Sequence, residues 1–109
     1  MIDWKRIAEL KDEVGMEDFE EIVTLFLEEV DGAIAELNAD ASGPELADSL
    51  HFLKGCALNL GFEALGALCQ AGERLAHDGR SAEVDVDEVR SVYAASREAF
   101  LAGEDSAAA

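Results

Sequence analysis

The chain has 109 residues, half of them hydrophobic, and its 25 acidic against eight basic side chains give a formal net charge of −17. A chain of this length forms one domain with a single core. So few scattered Lys and Arg residues exclude a nucleic-acid-binding protein and disfavour an anionic membrane surface. The high charge predicts a monomer. There is no bilayer-spanning apolar run and no signal peptide, so we expect a cytoplasmic location.

The first two helices follow from capping residues and apolar spacing. Asp3 is a good N-cap for a helix that continues to Val14 and ends at Gly15. The second helix is predicted from about Asp18 to Leu37. Its apolar positions keep the 4-3-4-3-4 spacing of a bundle helix: Phe19, Val23, Phe26, Val30, Ala33 and Leu37.

The other three helices are predicted from turn residues. After a loop over residues 38–43, Pro44 begins a third helix that ends at Leu60–Gly61. The fourth runs from near Phe62 to Asp78–Gly79, and the fifth begins after about Asp85. Inward positions are predicted for Leu65, Leu68, Cys69, Gly72, Leu75 and Ala76 in the fourth helix, and for Val89, Val92, Tyr93, Ser96 and Phe100 in the fifth. Residues 104–109 are predicted as a flexible tail, which leaves residues 1–103 as the domain.

Short connections favour antiparallel neighbours. We therefore predict an all-α fold in which helices two to five form an up-down-up-down four-helix bundle. The short first helix is expected to cap one end. Cys56 and Cys69 are expected to be reduced and mostly buried. With His51 and His77 they lack the spacing of a zinc framework, so no metal site is predicted.

His51 is predicted to lie on the solvent face of the third helix. At about 100° per residue, five apolar positions of this helix share one direction, and His51 lies roughly 140° away from it. Lys54 and Gly55 follow at i+3 and i+4, so they flank the imidazole on the same face. A glycine there costs about 1 kcal/mol relative to alanine, and no packing partner explains it. A histidine beside a cation and open space suits the transfer of an anion such as phosphoryl.

Glu73 is predicted to reach His51. If the chain turns back at Gly61, the two residues lie at heights of roughly 18 and 15 Å above the turn. A carboxylate that accepts from the Nδ1–H group would leave Nε2 as the nucleophile. The alternative is an ordinary surface glutamate. His77, in the last turn of its helix, is predicted only to interact with the helix dipole.

Three leucines could form a docking patch. Leu58 lies about 120° from the core direction, beside His51, and Leu25 and Leu27 lie about 100° to either side of the apolar seam of the second helix. One of the latter two could extend the patch. The equally reasonable alternative is that both are ordinary residues at the edge of the core.

The run His51-Phe52-Leu53-Lys54-Gly55, followed by Asn59-Leu60-Gly61, then Leu65, Leu68, Cys69 and Glu73, resembles the histidine-containing phosphotransfer (HPt) domains of phosphorelays. The detailed resemblance covers about a quarter of the chain, from residue 50 to roughly residue 75. It implies that His51 accepts a phosphoryl group from a receiver-domain aspartyl phosphate and passes it to another response regulator.

The resemblance also assigns roles and partners. It implies Lys54 as the partner of the phosphoryl oxygens and Glu73 as the residue that orients the imidazole. Hybrid or chemotaxis-type histidine kinases and receiver domains are the implied partners, and Mg²⁺ is expected on the receiver. No cofactor is expected on this chain, which has no nucleotide-binding glycine motif.

Two alternatives remain open. The chain could be the phosphoacceptor domain of a chemotaxis-type kinase, although its length and lack of a linker favour a free-standing protein. It could also be a non-catalytic adaptor that binds receivers, although such a protein would not need the intact His51.

Overall fold

A computed structural model of the protein describes residues 2–38 and 40–108, with side chains described as far as residue 103. It contains five helices, α1 (Trp4–Val14), α2 (Met16–Glu36), α3 (Gly43–Asn59), α4 (Glu63–His77) and α5 (Val86–Ala108), with a 3₁₀ turn at Ser81–Glu83. Over this part of the chain there is no strand, only an isolated antiparallel bridge between Ile2 and Phe62. The predicted all-α fold is confirmed.

The helix ends follow the predicted capping residues closely. The Asp3 carboxylate accepts from the Arg6 amide at 3.2 Å, as its predicted N-cap role requires. The N-cap of α3 is Ser42, which was not predicted and whose hydroxyl accepts from the Glu45 amide at 3.3 Å. Helix α2 begins two residues earlier than predicted. The reason is Gly15, whose positive φ of 85° ends α1 and turns the chain directly into α2.

Helices α3 and α4 form the closest pair in the bundle, and their contacts show that they are antiparallel. The Leu58 side chain lies over Gly66 near the turn, and Leu50 lies over Gly72 further along. A Cβ atom on Gly72 would come within 2.9 Å of Leu50 Cδ1, so glycine allows this close approach. Because side chains far from the turn on α3 meet those far from the turn on α4, the two helices can share one site.

Helix α5 returns along α2. The Arg90 guanidinium donates to the Leu37 carbonyl, and the Tyr93 hydroxyl donates to the Asp31 carboxylate. Later residues of α5 therefore contact earlier residues of α2, as an antiparallel pair requires. Burial and this hydrogen bond both raise the pKa of the Tyr93 phenol, which keeps it protonated at neutral pH.

The α3 core face is confirmed, because its five predicted apolar residues are all buried: Leu46, Leu50, Leu53, Ala57 and Leu60. The set of buried residues on α2 differs from the prediction. Leu27 is buried, whereas Phe26 and Ala33 are only half-buried. The reason is α5, whose Phe100 reaches the Leu27 side of α2 and rotates the buried stripe towards it.

Helix α1 packs across the end of the bundle that contains the α3–α4 turn. The Asp3 amide donates to the Gly61 carbonyl at 2.7 Å, and the Trp4 ring stacks on Phe100 with centroids 6.0 Å apart. Gly61 has a positive φ of 73°, and a Cβ atom there would lie 2.7 Å from the Asp3 carbonyl oxygen. Both the turn and the packing of α1 therefore require glycine at this position.

The α5 backbone is helical through residues 104–108, the segment that the sequence predicted as a tail. Ala109 lies outside the described residues, and the flexibility of this segment stays a prediction. Among the described helices, none combines the length and apolarity needed to cross a membrane.

Candidate functional site

His51 projects from the exposed face of α3, with 68% of its side chain accessible to solvent. Its Nδ1 atom lies 3.0 Å from Oε2 of Glu73 on α4. The two residues are far apart in sequence, and the antiparallel α3–α4 pair brings them together. The structure therefore places His51 and Glu73 in the contact that the helical rise predicted.

Lys54 holds the other oxygen of the same carboxylate. Its Nζ atom donates to Oε1 of Glu73 at 2.8 Å. The Lys54 hydrogen bond is the main cause that lowers the pKa of Glu73; partial burial opposes it, and the His51 hydrogen bond adds to the lowering. Glu73 is therefore ionised at neutral pH and is fixed at both oxygens.

The ionised Glu73 determines which nitrogen of His51 carries the proton. A carboxylate can only accept hydrogen bonds, so Nδ1 must be the donor in this contact. In the neutral imidazole, Nε2 then has a free lone pair. The ring is thus held in the tautomer that leaves the lone pair on the nitrogen remote from Glu73.

Gly55 lies one turn after His51 on the exposed surface. A Cβ atom built at this glycine would meet no heavy atom within 4 Å outside its own helix. No packing among the described residues therefore requires glycine here, and the space beside the imidazole is open to another molecule.

The predicted docking leucines fall into two groups. Leu25 and Leu58 are both 55% exposed, whereas Leu27 is only 6% exposed. The prediction that Leu27 could extend the patch is wrong, because packing of α5 on α2 buries it in the core. Phe52, which is 46% exposed, was missed. The helical advance of about 100° per residue could have predicted this exposure, since it places Phe52 about 120° from the core direction of α3.

His77 was also missed as a neighbour of this site. Its Nε2 atom lies 3.6 Å from Oε2 of Glu73, the oxygen that contacts His51. Its i+4 position after Glu73 on α4 places both side chains on one face and could have predicted this contact. The expectation that His77 interacts only with the helix end was therefore incomplete.

The two cysteines are free thiols and both are buried. Burial raises the pKa of Cys69 to about 12, and the nearby Glu73 charge adds to the effect. Burial likewise raises the pKa of Cys56. Neither thiol is a nucleophile at neutral pH. No group of His, Cys, Asp and Glu within the described part of the chain could hold a metal ion.

Comparison with models of protein families matched the Hpt domain over residues 21–99. Comparisons with curated proteins and with solved structures gave no match. The matched range covers more than half of the chain and includes both helices of the site. The chain therefore belongs to the Hpt domain family, whose members take part in histidine phosphotransfer and interact with receiver domains and kinases of phosphorelays.

Proposed function

We propose that this protein accepts a phosphoryl group on Nε2 of His51 from the aspartyl phosphate of a receiver domain and relays it to a second response regulator. The observation that carries the proposal is the contact between His51 Nδ1 and the ionised Glu73 on an otherwise exposed helix face. It gives an accessible imidazole a fixed tautomer within a domain of the phosphotransfer family.

The transfer step is a displacement at phosphorus. The Nε2 lone pair forms the new P–N bond, and the bond between phosphorus and the aspartyl oxygen breaks. The aspartate leaves with the bonding electron pair as a carboxylate. The imidazole gains positive charge while it keeps its Nδ1 proton, and the negative charge of Glu73 stabilises that cation. Transfer to the second receiver reverses these steps.

Lys54 has two roles in this proposal. Before transfer it holds Glu73 through the 2.8 Å contact, which positions the acceptor of the His51 proton. Because it lies one turn from His51, its ammonium is also close enough to attract the oxygens of the phosphoryl group. The receiver would supply the Mg²⁺ ion and most of the transition-state stabilisation. Gly55 and Leu58 would lie beneath the docked receiver, with Leu25 at its edge.

The test is to incubate the protein with a panel of phosphorylated receiver domains and to measure acid-labile, base-stable phosphate on histidine. We expect labelling of wild type and of His77→Gln, and no labelling of His51→Gln. Circular dichroism of the three proteins checks that they remain equally helical. Labelling that persists in His51→Gln, or that is lost only in His77→Gln, would overturn the assignment of the acceptor.

A second arm separates the alternative functions. If an ATP-bound chemotaxis-type kinase labels His51 while every receiver fails to do so, the protein is the phosphoacceptor of such a kinase. If receivers bind but neither source labels the protein, it is a non-catalytic adaptor. In the proposed case, a receiver loads His51 directly and a second receiver removes the phosphate.

A further inference from the structure

A surface groove runs between α2 and α3 beside the face that presents His51. Its walls carry Glu28, Glu29 and Glu36 from α2 and Asp48 from α3, and Phe52 and Gly32 also line it. We call this surface the α2–α3 groove. Phe52 follows His51 directly in the chain, and Asp48 precedes it by one turn, so the groove is continuous with the proposed phosphotransfer face.

The groove has an apolar part that is open to a partner. Phe52 is half-exposed within it. A Cβ atom on Gly32 would meet no heavy atom within 4 Å outside its own helix, so none of the described residues covers this position of α2. An exposed aromatic ring beside a small residue can receive an apolar side chain of a partner.

The charge around this apolar part has one sign. No Lys or Arg occurs between Lys11 and Lys54, a stretch that includes all of α2 and most of α3. Lys54 itself is paired with Glu73 on the side of α3 that faces α4. Arg90 and Arg97 of α5 reach α2 at Leu37 and Asp31, outside the residues that line the groove. Within the described part of the chain, no ion pair joins a groove carboxylate to a Lys or Arg residue, so the field of these exposed carboxylates extends into solvent.

We propose that the α2–α3 groove selects a receiver domain whose contact face carries Lys and Arg residues around an apolar centre. This inference rests on the proposed function and specifies its partner. Complementary charge would speed the encounter of the two proteins, and repulsion would exclude receivers with acidic contact faces. Apolar contact with Phe52 would hold the docked receiver with its aspartyl phosphate over His51.

The test begins with the receiver that loads His51 fastest in the panel. Its second-order transfer rate is measured at 0.05 and 0.5 M salt for wild type and two double variants. Glu28→Lys/Glu36→Lys reverses charge in the groove. Glu20→Lys/Glu98→Lys makes the same change in net charge on the exposed α2–α5 side. Gly32→Gln tests the apolar part of the groove without changing charge.

At low salt we expect the groove double variant to be slower than wild type by about tenfold or more, and the control pair by less than about threefold. The difference should shrink at high salt, where charges are screened over about 4 Å. Gly32→Gln should slow transfer at both salt concentrations. In the receiver, changing the basic residues of the contact face to Glu should reproduce the loss.

Two failures can be distinguished. If no receiver loads His51 at either salt concentration, the proposed function is wrong, and selection of a receiver by the α2–α3 groove is then wrong as well. If a receiver loads His51 but the groove variant, the control variant and wild type react at equal rates, charge selection by the groove is wrong while the phosphotransfer function stands. Equal effects of the two double variants would show a general charge effect and would also overturn the role of the groove.

Discussion

The two sides of α3 next to His51 differ in how their charges are arranged. On the α4 side, Glu73 is mostly buried and is bound by both Lys54 and His51. On the α2 side, the groove carboxylates are exposed and face solvent. The comparison shows that a fixed, paired charge contacts the His51 imidazole from the α4 side, whereas exposed carboxylates without an ion-pair partner among the described residues lie on the α2 side, in the groove proposed to dock a receiver.

The packing of the two sides differs in the same way. Leu58 and Leu50 press against Gly66 and Gly72, so α3 and α4 approach closely and position Glu73. Gly32 in α2 has open space at its Cβ position instead. A rigid pair of helices can hold a hydrogen bond to the imidazole, and an open groove can adapt to a second protein.

Among tests of this difference between the closely packed and the exposed parts of α3, the largest effect is expected at Gly55, on the exposed surface beside His51. Replacement by Gln should slow receiver-dependent transfer by about a hundredfold, or roughly 2.7 kcal/mol in the barrier, because its side chain occupies the approach to His51. Fold stability should be unchanged or higher, since glycine costs up to about 1 kcal/mol in a helix. A transfer time course and a thermal melt measure the two quantities.

Gly55→Ala is the matched control. It gives at least as large a gain in helix propensity with only a methyl group in the open space, so transfer should stay close to wild type. If the Gln variant also transfers at the wild-type rate, a receiver does not approach over this position.

The next largest effect is expected on fold stability, at the turn that joins α3 and α4. Gly61→Ala should lower the free energy of unfolding by about 2 kcal/mol or more, because alanine is strained at positive φ and its Cβ atom would press on the Asp3 carbonyl. Gly79→Ala, also at positive φ but with nothing within 4 Å, should lower it by only about 1 kcal/mol. Urea denaturation measures both. Equal losses would mean that the contact between α1 and the α3–α4 turn adds nothing to stability.

Much of the fold could be predicted from local patterns in the sequence. The cap at Asp3 and the start of α3 near Pro44, together with the apolar face of α3, depend on neighbouring residues and on helical spacing alone. The seam of α2 could not be placed correctly in this way. Which side of α2 is buried depends on the position of Phe100 in α5, which is a tertiary contact with no local signal.

The candidate site shows the same difference between features set by local sequence and features set by tertiary contacts. The reach from His51 to Glu73 could be predicted because a single short turn joins α3 and α4, so helical rise fixes the pairing. The contact between Lys54 and Glu73 was missed, because it depends on which side chain of α4 faces Lys54 across the helix pair, and the spacing of residues along α3 does not give this. His77 was missed because its position in the last turn of α4 fits an interaction with the helix dipole equally well, and only the i+4 spacing from Glu73 indicates the contact.

A double-mutant cycle tests whether Lys54 acts through Glu73. Lys54→Ala and Glu73→Gln should each slow phosphorylation of His51 by about tenfold, the equivalent of one charge-assisted hydrogen bond. If the main role of Lys54 in this step is to hold Glu73, the double variant should also be slower by about tenfold. A loss of about a hundredfold would instead show independent roles. The phosphohistidine half-life at two salt concentrations tests the contact with the phosphoryl oxygens separately.

The smallest expected effect is the pH dependence of stability that Glu73 confers. Contacts with Lys54 and His51 lower its pKa in the folded protein below the ordinary value of 4.5. A carboxylate with a lowered folded pKa stabilises the fold above its unfolded pKa, and this contribution is lost as pH falls through the folded value. Wild type should therefore be more stable than Glu73→Gln by about 1 kcal/mol near pH 7.

That difference should shrink as the pH falls below the ordinary value of 4.5 and should vanish once Glu73 is protonated in the folded state. Urea denaturation of both proteins at intervals between pH 7 and pH 3 provides the measurement. Because both proteins carry the same other carboxylates, most of the general effect of acid on this highly charged chain cancels in the comparison. A difference that stays constant down to pH 3 would mean that the Glu73 charge does not stabilise the fold, and that its contacts with Lys54 and His51 act on the imidazole alone.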